Sequence, residues 1–236
     1  MNGNAVLATG QRIWEIDIAR GCAVLLMILF HFVYDLSRFG SAAINVNSPI
    51  WQFTGKAAAF LFISLAGLST TLSKDPVRRG MRVLASGMLI TIVTYFTIRP
   101  DYVRFGILHF LGLAMLSSPV WHRCSNRTIM LIAGGAAVAG LVVSWISVNV
   151  AWLLPLGIRY PGFTTVDYYP VFPYLALFLT GLVIGRKYYA TGHSRWPGTA
   201  PVFPLLGTMG RHSLPIYLLH QPLLIGLIKM AGFLKV

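Results

Sequence analysis

Asp17, Arg20, His31, Asp35 and Arg38 interrupt a stretch that is otherwise almost wholly apolar, and their spacing is helical. At about 100° per residue, Arg20 and His31 fall about 20° from eclipsed, and Asp17 and Asp35 each lie about 40° from His31. Arg38 returns to the azimuth of Arg20, so all five share one narrow face. Between Arg20 and His31 that face presents Val24, Met27 and Ile28, which separates an inner pair of charges from an outer trio. An imidazole that titrates near neutrality is suited to general base chemistry. Asp35 follows His31 by four positions, and this spacing predicts that the carboxylate holds one ring nitrogen and turns the other towards a reactant. The rise from Arg20 to His31 is about 16 Å, so a ligand touching both is elongated. The same groups could form a proton relay, and Asp17 with Arg20 also fits a plain interfacial ion pair at a helix start.

Placing that face requires a membrane. Of the 236 residues 56% are hydrophobic and 11% are charged, and the mean hydropathy is +0.70. An ordinary soluble domain carries about 25% charged residues. Spans of roughly 20 apolar residues divide this length into about seven helices, near 14–36, 51–72, 81–98, 105–121, 128–147, 170–184 and 213–233. The expected fold is all-α: one polytopic transmembrane bundle over 1–236, with a short cytoplasmic tail at 1–12 and an outer loop at 149–170. The charges inside the first apolar run argue against a cleavable signal peptide, so the first helix is expected to stay.

The net charge of +13 does not indicate nucleic acid, because the basic residues form short clusters between apolar runs. Lys74, Arg78, Arg79, Arg82, Arg123, Arg127, Arg186, Lys187 and Arg195 occupy alternate connections, which predicts a cytoplasmic N-terminus. Composition and topology together fit a multi-pass membrane protein, and the bacterial cytoplasmic (inner) membrane is the expected location. Cys22 and Cys124 have neither disulfide-framework nor metal spacing, and no metal is expected. A homo-oligomer stays open.

Four further segments carry residues of interest. His109 opens the fourth span, at a depth comparable to that of His31, and is a candidate second acid or base. His220 precedes Pro222 in the last span, where a packing role at a helix kink competes with catalysis. Lys56 lies near the outer end of the second span, either snorkelling or contacting a substrate. Arg78, Arg79, Arg82, Arg123 and Arg211 lie at the arginine-rich face, where they would bind phosphates or merely set topology.

Ile16-Asp17-Ile18-Ala19-Arg20-Gly21, with ten residues between Arg20 and His31, resembles the opening of the type-three integral membrane acyltransferase superfamily. Phe105-Gly106-Ile107-Leu108-His109, Asp167-Tyr168-Tyr169-Pro170 with Pro173-Tyr174, and Ser213-Leu214 through Tyr217-Leu218-Leu219-His220-Gln221-Pro222 are similar to its heparan-alpha-glucosaminide N-acetyltransferase branch. The likeness runs from about residue 12 to 226. It implies acyl-CoA, in particular acetyl-CoA, as donor substrate, and a hydroxyl or amine acceptor, for example a sugar on the outer side. By resemblance Arg20 helps hold the donor, and His31 acts as general base or transient acyl carrier; from their positions, Asp17 is placed with Arg20 at the donor, and Asp35 and His109 with His31 in the catalysis. Asp167, Lys56 and His220 become the acceptor-side candidates. Relatives of about ten or eleven spans are larger than this chain, so acceptor identity does not carry over. Two other readings remain: a proton-coupled transporter or exporter, against which no inverted repeat is visible, and a non-catalytic membrane assembly subunit.

Overall fold

The computed structural model describes residues 13–39, 44–196 and 203–231. The described residues form α-helices with no strand: α1 (Trp14–Arg38), α2 (Pro49–Thr70), α3 (Pro76–Thr97), α4 (Ile107–Leu116), α5 (Ser118–His122), α6 (Asn126–Val143), α7 (Val171–Tyr188), α8 (Pro204–Arg211) and α9 (Ser213–Met230). The tail at 1–12 lies outside the described residues. Helices α1, α2, α3, α6 and α9 are each long and apolar enough to cross a bilayer. A count of seven needs α7 and the α4–α5 pair as well. That pair replaces the single fourth span expected from hydropathy, because the chain turns at Ser117 ahead of Pro119.

In lipid, apolar character does not choose which face of a helix turns inward; small and polar residues do. Helix α1 shows this directly. Val24 and Met27 are buried on the charged face, whereas Leu25, Leu29 and Phe32 are exposed on the other. Glycines set the closest helix crossings. A Cβ on Gly67 would strike the Phe178 carbonyl, and one on Gly181 would strike that of Ser64, so α2 and α7 touch backbone to backbone. Gly21 and Gly210 do the same between α1 and α8. Pro204–Arg211 therefore forms a short helix docked on α1.

The core fills the space between α2, α4, α6 and α7, where Ile63, Phe110, Ile129, Phe178, Leu179 and Leu182 are almost fully buried. At one end of the bundle, Arg186 donates to the Trp121 and Cys124 carbonyls at 2.7 and 2.9 Å. It thereby satisfies carbonyls left free where α5 stops. At the opposite end the 149–170 loop is ordered: Tyr169 N–H donates to the Phe105 carbonyl and Val166 N–H to that of Asp101, each at 3.0 Å. A six-residue 3₁₀ helix, Ala151–Leu156, lies within it, and Tyr168 Oη donates to the Leu154 carbonyl at 2.7 Å.

Candidate active site

The first half of the site lies at the arginine-rich end, where α1 begins, α2 ends and α3 begins. Arg20 donates to Asp17 Oδ1 at 3.3 Å and to Ser69 Oγ at 2.7 Å. Ser69 passes its own proton to the Leu65 carbonyl at 2.6 Å, so its oxygen is held ready to accept from the guanidinium. Arg79 on α3 lies within electrostatic reach of Arg20. Its guanidinium has no acidic partner among the described residues. Two guanidinium groups lie within electrostatic reach of each other here while Asp17 pairs with Arg20 alone, which leaves a local excess of positive charge suited to an anion. Arg78 and Arg82, marked from sequence as phosphate binders, stand on the exposed side of α3. Arg211 is exposed at the end of α8, donating to Thr208 Oγ1 at 2.7 Å. Arg79, not these three, joins Arg20.

The second half lies further along the same face of α1. His31 and His220 meet edge to face, with ring centroids 4.7 Å apart. His31 Nδ1 is 2.9 Å from the Met27 carbonyl, and His220 Nδ1 is 2.6 Å from that of Tyr217. A carbonyl only accepts, so each Nδ1 carries the proton and each Nε2 keeps its lone pair. His220 Nε2 is buried without a partner among the described residues. The expected Asp35–imidazole pair is not formed; the Met27 carbonyl orients His31 instead. Asp35 is 0% exposed, accepts from Gln221 Nε2 at 3.4 Å, and its Oδ2 is unpartnered. Arg38, the last member of the stripe, leaves the interior and pairs with Asp101 at 3.2 Å.

His109 does not join that pair. Its Nδ1 accepts from Gly106 N–H at 3.2 Å, and its Nε2 lies 3.1 Å from Thr91 Oγ1. Thr91 already donates to the Val103 carbonyl at 2.7 Å, so Nε2 must be the donor, and both ring nitrogens are occupied. Asp167 completes the same arrangement by accepting from Ile107 N–H at 3.0 Å. Together His109 and Asp167 cap the start of α4, whose own N-cap residue, Gly106, offers no side chain. A Cβ on Gly106 would strike the Asp167 carboxylate. Burial raises the Asp167 carboxyl from its ordinary value to about 6, against the opposing effect of the Ile107 hydrogen bond.

Lys56 stands on the exposed face of α2 with Phe53 and Phe60, away from both halves of the site. From the loop end, Tyr169 and Tyr174 pack 4.8 Å apart, and Tyr217 reaches His220 at 5.5 Å. Sequence reasoning quoted these tyrosines as motif letters without a role. Among the described residues no three His, Cys, Asp or Glu side chains converge as a metal site would need, and His31 does not join His109 and Asp167 in one.

Comparison with curated proteins and with solved structures gave no match. A family model does match, and it covers nearly all of the described bundle, from the start of α1 into α9. That model is heparan-alpha-glucosaminide N-acetyltransferase, catalytic, and it spans residues 12–222, so the chain belongs to this family of membrane acetyltransferases.

Proposed function

We propose that this protein transfers an acyl group, in the first instance acetyl, from acyl-CoA to the hydroxyl or amine of a small acceptor, for example a sugar. The observation that carries this reading is the inward face of α1. It presents a cationic site at Arg20 and a pair of imidazoles with free nitrogens at His31, about 16 Å further along. The donor phosphates bind Arg20 and Arg79, with Asp17 and Ser69 fixing the Arg20 fork. The thioester arm runs past Val24 and Met27 to His31. Arg78, Arg82 and Arg211 attract the donor from the surface rather than hold it.

The acceptor enters from the opposite end, past Tyr169, Tyr174 and Tyr217. His31 Nε2 takes the proton from the acceptor hydroxyl or amine as that atom attacks the thioester carbonyl. The carbon–sulfur bond then breaks, and the proton passes from His31 to the departing thiolate. Thioester and acceptor thus give ester or amide plus free thiol, with no net proton change. His220 Nε2 accepts a hydrogen bond from the acceptor and holds it in line. His109 and Asp167 act at one remove, by fixing α4. By the distribution of basic residues, the arginine-rich end and the N-terminus face the cytoplasm of a bacterial inner membrane.

The test is thiol release from acetyl-CoA by the purified full chain in nanodiscs, against a panel of amino sugars, sugars and small alcohols. Turnover that needs one acceptor class and falls at least about 10²-fold in His31→Ala is expected, the range of a lost general base. If the protein neither turns over any member of the panel nor binds acetyl-CoA by calorimetry, the reading is wrong.

A further inference from the structure

Four arginines stand at the loop end of the bundle, and their side chains find different partners. Arg38 pairs with Asp101 at 3.2 Å. Arg104 donates to the Thr164 and Pro100 carbonyls, and Arg99 stacks 4.0 Å over the Tyr95 ring. Arg159 differs. Its backbone is pinned, because its carbonyl accepts from Val148 N–H at 3.1 Å and from Ser147 Oγ at 3.2 Å. Its guanidinium lies 5.4 Å from the Tyr168 ring centre and hydrogen-bonds that side chain, with no carboxylate partner among the described residues.

Arg159 is among the residues lining a cavity of about 100 Å³ between the end of α6 and the start of α7, with Gly140, Ser144, Tyr168, Phe172 and Tyr174 as further walls. The space exceeds the roughly 30 Å³ share of a single water. The cavity opens at the periphery of the bundle, since α6 packs chiefly on α7. Beside it, Leu141 and Val142 are exposed, Trp145 is 89% exposed and Trp152 is 76% exposed. Exposed tryptophans at the end of a spanning helix mark the headgroup level of a bilayer. A cation at that depth, facing a cavity with apolar helix surface below it, matches an amphiphile with a negative head and hydrocarbon tails.

We infer that the α6–α7 cavity binds the phosphodiester headgroup of an anionic phospholipid, held by Arg159, with its acyl chains laid along the exposed face of α6. Arg159 donates to the phosphate oxygens, and Tyr168 walls the headgroup. A zwitterionic lipid binds less well, because its own cation competes for the phosphate. This site is separate from the acyl-transfer face of α1 and does not depend on it.

The experiment compares the purified full chain with Arg159→Gln, Ser144→Leu and Arg99→Gln. Native mass spectrometry reads retained lipid, and thermal unfolding in detergent reads stabilisation by added phosphatidylglycerol, phosphatidylcholine or inorganic phosphate. Phosphatidylglycerol retention is expected to fall about tenfold in Arg159→Gln, as for loss of a charge-assisted contact. It should fall similarly in Ser144→Leu, which fills the cavity without touching the charge, and stay unchanged in Arg99→Gln. Equal retention in Arg159→Gln and the parent overturns the inference. So does equal stabilisation by phosphatidylcholine, and a matching shift from inorganic phosphate alone identifies a free-anion site instead. If Arg159→Gln does not fold, Ser144→Leu decides between the same outcomes.

Discussion

His31 with His220 and His109 with Asp167 are two polar clusters in one bundle, and they use their hydrogen-bonding atoms differently. In the first, each imidazole gives one nitrogen to a carbonyl of its own helix and leaves the other free. In the second, both nitrogens of His109 and one carboxylate oxygen of Asp167 are taken up in starting α4. Buried polar atoms are normally satisfied, so the His109 cluster reads as scaffold and needs no ligand to explain it. His220 Nε2 and Asp35 Oδ2 are each buried and unpartnered among the described residues, which is costly in a core, and a ligand bringing donors removes that cost. The difference teaches that the number of ionisable groups at a place says less than which of their atoms remain free.

The sharpest way to break this contrast is to exchange the histidines one at a time. His31→Ala should lower kcat for thiol release by about 10²–10⁴-fold with the fold intact, the range of a lost general base. His220→Gln should cost about tenfold, mostly in the KM for the acceptor, because it disturbs one hydrogen bond and no proton transfer. A kcat in His31→Ala within threefold of the parent's would collapse the distinction between the clusters. Arg79→Ala should raise the KM for the donor about tenfold, as for one charge-assisted phosphate contact, whereas Arg78→Ala changes it little. Equal effects of the two would return both arginines to a role in topology.

His109→Ala should behave in the opposite sense. Leaving Gly106 N–H and Thr91 without their partner is expected to lower stability by about 1–3 kcal/mol. The measurements are thermal unfolding and turnover per folded molecule; loss of turnover with full stability would move His109 into the chemistry.

Much of the architecture was legible from the sequence, because spacing on a helix is a local property. The stripe on α1 turns inward as its periodicity required, and the segments 105–109 and 167–174 lie side by side, joined where Tyr169 N–H meets the Phe105 carbonyl. Which atoms of each residue remain free was not legible, because partners come from distant segments: Thr91 lies 18 positions before His109, and Asp167 caps a residue 60 positions earlier. Arg79, Arg78 and Arg82 were all candidates for the phosphates, and the sequence did not separate them for a different reason. Arg79, Val83 and Gly87 lie four apart on the inward face of α3, yet Met88, Leu89, Ile92 and Val93 on the exposed face are at least as apolar. Only the glycines at 80 and 87 distinguished the faces, and the sequence reading did not use them. Lys56 shows the converse: a charge near the end of a span attracted a role, although its neighbours Phe53 and Phe60 already marked a lipid-facing side.

The smallest expected effect concerns pH and bears on the scaffold cluster alone. The Asp167 carboxyl is raised by burial from 3.8 to about 6, so between roughly pH 4 and 6 the folded protein binds its proton more tightly than the unfolded chain. Stability then falls as pH rises through that window, because the unfolded state holds fewer protons there. Below it both states are protonated at this site, and above it both are ionised, so the slope from this group vanishes at either side. Asp167→Asn keeps an oxygen to accept from Ile107 N–H but cannot titrate. Its thermal midpoint should therefore decline less than the parent's between pH 4 and 6, with turnover per folded molecule little changed. Because every other titrating group is common to both proteins, the difference between the two curves isolates this carboxyl. Parallel curves would show that Asp167 is already ionised in the fold, held by the amide at the start of α4 and by that helix's positive end, and the capping hydrogen bond would then outweigh burial.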